Sequence, residues 1–389
     1  MRKRYLWAVS GGHAVADMAQ GSLPAMLPFI IVAGGLNYTQ AAGLTFAVAL
    51  ASSMTQPIFG IMADKLTKSW LLPLGVLLSC GTISLIGLFS DYYWLMFIIG
   101  IVSGIGVAAY HPEGARMANR LSGEKKGGGM SIFSVGGNAG FAIGPLIATI
   151  GMLTLGLRGS IFLAILPVFM CILLFNLNPK MYSLADATEK KVVKVTGEQD
   201  NEWGKFSWLS VSIVSRSIIS HCLNTFLPLY WMNVLLQSQA ASGLIVSYML
   251  SVGVFATLLS GYLADRIGPN NVIKIGFLVL LPSTFFLTYT DNPYLAMLLL
   301  IPIAGGNFFT STTLTILGQK YLPKNIGFAS GITLGLGVSI GGLITPLFGS
   351  YADIHGLTAT LRLLAFMPLL GLLVAFTIKN PGKKMRNEG

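Results

Sequence analysis

Seven ionisable side chains stand inside stretches that are otherwise apolar: His13 and Asp17; His111, Glu113 and Arg116; and Arg216 and His221. The amides Asn138 and Asn224 join them in similar surroundings. A carboxylate near imidazoles can hold and release protons around neutral pH. A guanidinium offers a planar fork of donors that fits carboxylates, phosphates and phosphonates. Proton handling and oxyanion binding are therefore the chemistry this set can do. Nucleotide-binding glycine loops, zinc spacings and catalytic-triad signatures are absent from the sequence.

The elements that carry these residues follow from composition. The chain has 389 residues, 53% hydrophobic and 10% charged, with a mean hydropathy of +0.71. Soluble domains carry about 25% charged residues, so lipid is the solvent this composition fits. Cys80, Cys171 and Cys222 lie in apolar runs without metal spacing and read as small buried hydrophobes. The N-terminal run after Met1 is too long for a signal peptide and contains Asp17 and Pro24, so it reads as a retained first helix.

A spanning helix needs roughly 20 apolar residues. Breaks at charges, Asn, Gly and Pro place helices at 5–33, 39–62, 70–90, 93–117, 129–152 and 157–178, then at 206–231, 240–262, 271–290, 293–317, 326–352 and 358–378. The expectation is an all-α integral membrane protein of twelve transmembrane helices in two six-helix bundles, 1–178 and 206–389, joined by a polar linker at 179–205.

The net charge of +11 has a topological explanation. With the N-terminus in the cytoplasm, Arg2 to Arg4, Lys65, Lys68, Arg120, Lys125, Lys126, the linker lysines, Arg266, Lys274, Lys320, Lys324 and the tail from Lys379 all fall on one face. This is the positive-inside pattern. It predicts cytoplasmic termini in a cell's inner membrane and removes the need for a nucleic-acid partner.

The chain repeats itself. GIMADK at 60–65 is matched by GYLADR at 261–266, and GNAGFAIGP ending at Pro145 by VSIGGLITP ending at Pro346. Parallel repeats of this kind place a binding site between the halves near mid-membrane. The motif glycines allow close helix approach, and a carboxylate such as Asp64 or Asp265 can cap a neighbouring helix N-terminus. Gly140 and Gly144, one turn apart, give a flat face for helix contact, and Pro145 bends the helix. By depth, Asp17, Arg216 and His221 face the cavity, with Asp17 the nearest acid to Arg216 and His13 about 6 Å nearer the cytoplasm. Glu113 and Arg116, three residues apart, can pair.

GGHAVADMAQ, SMTQPIFGIMADK, YHPEGARMANRLSG and SIFSVGGNAGFAIGPL resemble the fosmidomycin resistance protein family of the major facilitator superfamily. The resemblance is strong over residues 10–150 and general beyond. It implies a monomeric, proton-coupled antiporter that exports small drugs, phosphonates among them, with the proton gradient as driving force and no cofactor. It also implies a cytoplasmic gate built on Gly60, Asp64 and Lys68, with Arg116, Asp265 and Arg266. The superfamily's helix-four arginine is missing, because Gly100 occupies that region. Proton coupling is therefore expected of Asp17, His111 and Glu113, and substrate binding of His13, Asn138, Arg216, His221 and Asn224. A proton-coupled exporter or symporter of an endogenous metabolite is the alternative. A non-transporting receptor lacks any large soluble module in its favour.

Overall fold

The computed structural model describes residues 2–65, 70–122, 126–189, 200–325, 328–329, 332–333 and 337–378. The first half comprises α1 (Arg2–Gly34), α2 (Tyr38–Lys65), α3 (Leu71–Ile83), α4 (Tyr93–Ser122), α5 (Lys126–Leu155) and α6 (Ile165–Glu189). The second comprises α7 (Trp203–Asn233), α8 (Gln239–Ile267), α9 (Pro269–Leu287), α10 (Pro293–Tyr321), α11 (Gly337–Leu364) and α12 (Met367–Thr377). Nine segments among the described residues are long and apolar enough to cross a membrane. Two of them, Ile132–Ala185 and Ile340–Thr377, are each a pair of passes. They turn at Gly156 (φ 61°), between α5 and α6, and at Gly356 (φ 82°), inside α11, so that the last pass runs over 357–377; both are backbone conformations that favour glycine. The serine-rich α7 falls outside the nine and supplies the twelfth pass.

The two turning glycines lie 200 positions apart, so the internal repeat extends from the motifs to the backbone itself. Within the halves, α1 packs on α5 and α7 on α11; across them, α2 packs on α11 and α5 on α8. Small residues make these approaches possible. A β-carbon at Gly136, Gly140 or Gly144 would collide with the backbone of α1 at Ser10, Ala14 or Met18. The flat face expected of Gly140 and Gly144 is therefore the seat of α1, the helix that carries His13 and Asp17. Gly100 lies against Ala47 and Leu44 of α2, a packing that leaves no room for a long side chain.

The solvated stretch begins later than the sequence predicts. α6 continues helically to Glu189, and within 179–189 Met181, Tyr182 and Ala185 are buried. The apolar spacing of those three keeps one face of the extension on the first bundle. Residues 190–199 lie outside the described residues.

The halves are tied together on the face opposite the one where α1 begins. The Asp353 carboxylate of α11 accepts from the backbone N–H groups of Tyr38 and Thr39 at 2.7 and 3.0 Å and from the Thr39 hydroxyl at 2.5 Å. It thereby caps the N-terminus of α2 from the other bundle, where its charge is favoured by the helix dipole. Asn233 donates to the Tyr38 hydroxyl at 2.9 Å beside it. Asp353→Ala is expected to loosen this tie, raising thiol labelling of a Thr45→Cys reporter from that face by roughly fivefold, the factor for about 1 kcal/mol. Unchanged labelling would remove the tie from the account.

Candidate functional site

A cavity of about 280 Å³ lies between the bundles. Gln20, Thr45, Ser52, Gln56, His111, Asn138 and Phe141 line it from the first half, and Arg216, Ser220, His221, Asn224, Phe308 and Ser311 from the second. On α2, Thr45, Ser52 and Gln56 recur at helical spacing, and so do Arg216, Ser220 and Asn224 on α7, so each helix turns a polar stripe inward. Thr45 and Thr225 close the stripe at 3.1 Å across the halves.

Asp17 sits behind the first-half wall, 3% exposed. Its Oδ1 lies 2.8 Å from His111 Nε2, and its Oδ2 lies 3.1 Å from His13 Nε2. His13 and Asp17 are one turn apart on α1, which brings them to one face. The hydrogen-bond partners fix the protons. His13 Nδ1 is 2.7 Å from the Phe133 carbonyl, which can only accept, so Nδ1 carries a hydrogen. His13 Nε2 then meets a carboxylate oxygen, and one further proton must lie between them. His13 also stacks on the Phe133 ring at 3.9 Å. The cluster thus holds a proton between His13 and Asp17, and His111 is its member on the cavity wall.

The three ligand atoms lie within 4.8 Å of one another, a separation a metal ion could bridge. Each already has a hydrogen-bond partner within the cluster, and the tautomers are accounted for without an ion.

The helix-five glycine next to the cavity amide fits this cluster closely. A β-carbon at Gly137 would lie 2.5 Å from His13 Cε1 and 2.6 Å from Asp17 Oδ2. Gly137→Ala is expected to force the pair apart and lower stability by about 1–3 kcal/mol, as overpacking does, read as a drop in unfolding temperature. Gly60→Ala is its control. Nothing described lies within 4 Å of a β-carbon there, and alanine favours helix, so a comparable drop at Gly60 would contradict the packing described.

Arg216 stands alone in this arrangement. Among the described residues it has no hydrogen-bond or ion-pair partner in the geometry, although it lines the cavity from mid-α7. The pairing with Asp17 that depth along the helices suggested is not made, because both carboxylate oxygens are taken by histidines. The Asn224 carbonyl oxygen, buried on the same wall, has no hydrogen-bond partner either.

Three sequence expectations are redistributed. His13, expected among the substrate ligands, is held behind the wall by Phe133 and does not line the cavity. Glu113 is parted from Asp17 and His111. It is fully buried, pairs with Arg116 through two bonds of 2.9 and 2.8 Å, and accepts from Tyr182 at 2.5 Å. The pair forms because positions 113 and 116 share the α4 face that meets α6. Of the expected gate, Lys68 and the Asp64 side chain lie outside the described residues. Among the described residues nothing lies within 4 Å of a β-carbon at Gly60 or Gly261, Asp265 is exposed, and Arg266 lies 4.5 Å over its own helix's Tyr262 ring. Asn138, Arg216, His221 and Asn224 do share one cavity with His111.

Gln20 and Gln56 were missed. Gln20 donates to Asp17 Oδ1 at 3.3 Å, and Gln56 Nε2 lies 3.3 Å from His111 Nδ1. Their signal was position: three residues after Asp17, and on the inward stripe of α2.

Two pseudo-symmetric six-helix bundles around a polar cavity, with a buried proton cluster on one and a guanidinium on the other, define a membrane transporter for small molecules. The chain belongs to the Major Facilitator Superfamily, whose sequence model matches residues 9–346 and again 209–389. It is 30% identical over 95% of its length to 91% of the uncharacterized MFS-type transporter YfnC of Bacillus subtilis (strain 168). It is 29% identical over 97% of its length to 93% of the fosmidomycin resistance protein of Escherichia coli (strain K12). Among solved structures, a bacterial homologue of the human lysosomal transporter Spinster, inward-facing and occupied, superimposes with a TM-score of 0.77 over 97% of this chain and 96% of that one, at 14% identity. A mutant of the nucleoside transporter NupG does so at 0.72, over 97% and 98%, at 16% identity.

Proposed function

We infer that the chain is a proton-coupled secondary transporter that exports small oxyanionic compounds, phosphonates among them, in exchange for protons. The observation that carries this reading is the unpartnered Arg216 guanidinium facing the same cavity as His111, the outer member of the proton cluster. A lone cation in a spanning helix costs roughly 2.5–3.5 kcal/mol on insertion scales, so a counter-charge is expected to arrive with the substrate. The proton store lies wholly in the first bundle and the guanidinium wholly in the second. Rocking of one bundle on the other therefore moves them relative to each other, as alternating access requires. The positive-inside distribution supports a reading with both termini in the cytoplasm of an inner membrane. The closed Asp353 face is then external and the cavity faces inward. We take a single chain as the working unit, because the cavity is complete within it.

Export by exchange is drawn from the relatives, a fosmidomycin resistance protein and, at 25% identity over 84% of the chain, a multidrug resistance protein MdtG. A second reading, co-movement of anion and proton, has its own support: a protonated cluster and a bound anion attract each other across the cavity. Fosmidomycin flux in proteoliposomes under an imposed pH gradient tests the proposal. Gradient-dependent flux supports it, and gradient-independent leakage at the rate of empty liposomes refutes it.

A further inference from the structure

We propose that Gln56 is a positioning residue that caps the cavity-side nitrogen of His111 and gates the passage of protons between the Asp17 cluster and the cavity. This deepens the reading above and rests on it for its transport consequences, though not for its structural test.

His111 Nε2 faces Asp17 Oδ1 at 2.8 Å and Nδ1 faces Gln56 Nε2 at 3.3 Å. With Asp17 ionised, its oxygen only accepts, so His111 Nε2 carries the hydrogen. In the neutral ring Nδ1 is then a lone pair, and the Gln56 amide N–H is its donor. This clamp matters because Nδ1 is the end of the relay nearest the cavity. A proton leaving for the cavity must appear at Nδ1, and one entering must attach there. When Nδ1 is protonated, it and the Gln56 amide nitrogen are both donors and repel. A half-turn of the amide brings Oε1 onto Nδ1–H instead. That torsion joins sp³ and sp² atoms and has a broad, roughly two-fold profile, so no backbone movement is needed.

Gln56 therefore favours neutral His111 in one orientation and the imidazolium in the other, and its turn accompanies each proton that passes. The charged groups around His111 are Asp17 and His13 from α1, with Arg216 and His221 lining the cavity from α7. Glu113 on its own helix is engaged with Arg116 and Tyr182. From α5 the nearby cavity group is the neutral Asn138.

The test is ¹⁵N-histidine NMR of the full chain in lipid nanodiscs across pH. The sequence holds four histidines, so His111→Gln assigns the signal. Wild type is expected to show neutral His111 as the Nε2–H tautomer. Gln56→Leu leaves the Asp17 contact in place, so the Nε2–H tautomer is expected to stay while the Nδ1 resonance moves to that of a lone pair without a donor. Gln56→Glu places a carboxylate against Nδ1 and is expected to hold a hydrogen there, so that both ring nitrogens carry one. An unfolding temperature within a few degrees of wild type shows that each variant is folded. The same Nδ1 resonance in all three proteins would overturn the proposal. The pH profile of fosmidomycin flux should change shape in Gln56→Glu; a fall in rate at every pH with no change of profile would instead mark a structural role. Failure of wild-type flux with the NMR result intact would sink the transport reading and leave the Gln56 clamp standing.

Discussion

Asp17→Asn is expected to reduce fosmidomycin-driven proton movement to the background of empty liposomes while the protein stays folded. The tautomers explain why both outcomes are expected of one substitution. His111 Nε2–H would donate to the asparagine oxygen. The asparagine NH₂ would donate to His13 Nε2, whose Nδ1–H remains on the Phe133 carbonyl. Every hydrogen bond of the cluster survives, so no buried polar group is left unpaired. What disappears is the proton shared by His13 and Asp17, replaced by an amide hydrogen that does not dissociate. The unfolding temperature should stay within about 4 °C of wild type, the shift that accompanies about 1 kcal/mol in a chain of moderate size. Retained proton movement in this variant would place the coupling site elsewhere.

Arg216→Lys is expected to weaken binding of anionic compounds such as fosmidomycin by about 10- to 100-fold, and of neutral ones little. Lysine keeps the charge but loses the fork, and with it one or both of the parallel charge-assisted bonds, on the order of 1.5–3 kcal/mol. Arg216→Ala should lose anion binding altogether, with neutral compounds again little affected. The competing role for Arg216 is bracing α7 against its neighbours. That role predicts an equal loss for every compound together with a drop in unfolding temperature. Binding isotherms for matched anionic and neutral compounds separate the two. No partner braces the guanidinium among the described residues, which is why the ligand role is preferred.

Much of the fold can be read directly from the amino-acid order, because lipid restricts the choices. Hydropathy runs mark the passes, and the matched GIMADK and GYLADR ends mark the repeat. The exception is instructive: α7 falls short of a lipid-facing apolar run because Arg216, Ser220, His221 and Asn224 line the cavity, while Ser212 and Ser215 donate to carbonyls of α12. For the site, rarity did the sorting. Ionisable groups in apolar helices are few, and most of those singled out do meet at or behind one cavity.

The failures have a common cause. Position along a helix gives depth but not direction around the axis. Asp17 and Arg216 match in depth, yet Asp17 turns to His13 and His111. His13 is four residues before Asp17, so the pairing was available from helical spacing. Glu113, two residues after His111, points to a different face of α4 and meets Tyr182, a residue placed by sequence in the linker. Gln20 and Gln56 were overlooked because a neutral amide in a spanning helix attracts less attention than a charge. Their partners, Asp17 and His111, are what give them significance.

Exchange of a small anion for a proton through this one cavity can be followed by a single signal. Wild-type protein is reconstituted with a pH-sensitive dye inside the liposomes, with no initial pH gradient, and fosmidomycin is added outside. Exchange predicts that fosmidomycin entry drives protons out, so the lumen becomes more alkaline, saturably in wild type and not at all in Asp17→Asn. Acidification of the lumen as fosmidomycin enters would show proton and anion moving together and contradict exchange, and the absence of any wild-type signal would contradict proton coupling itself.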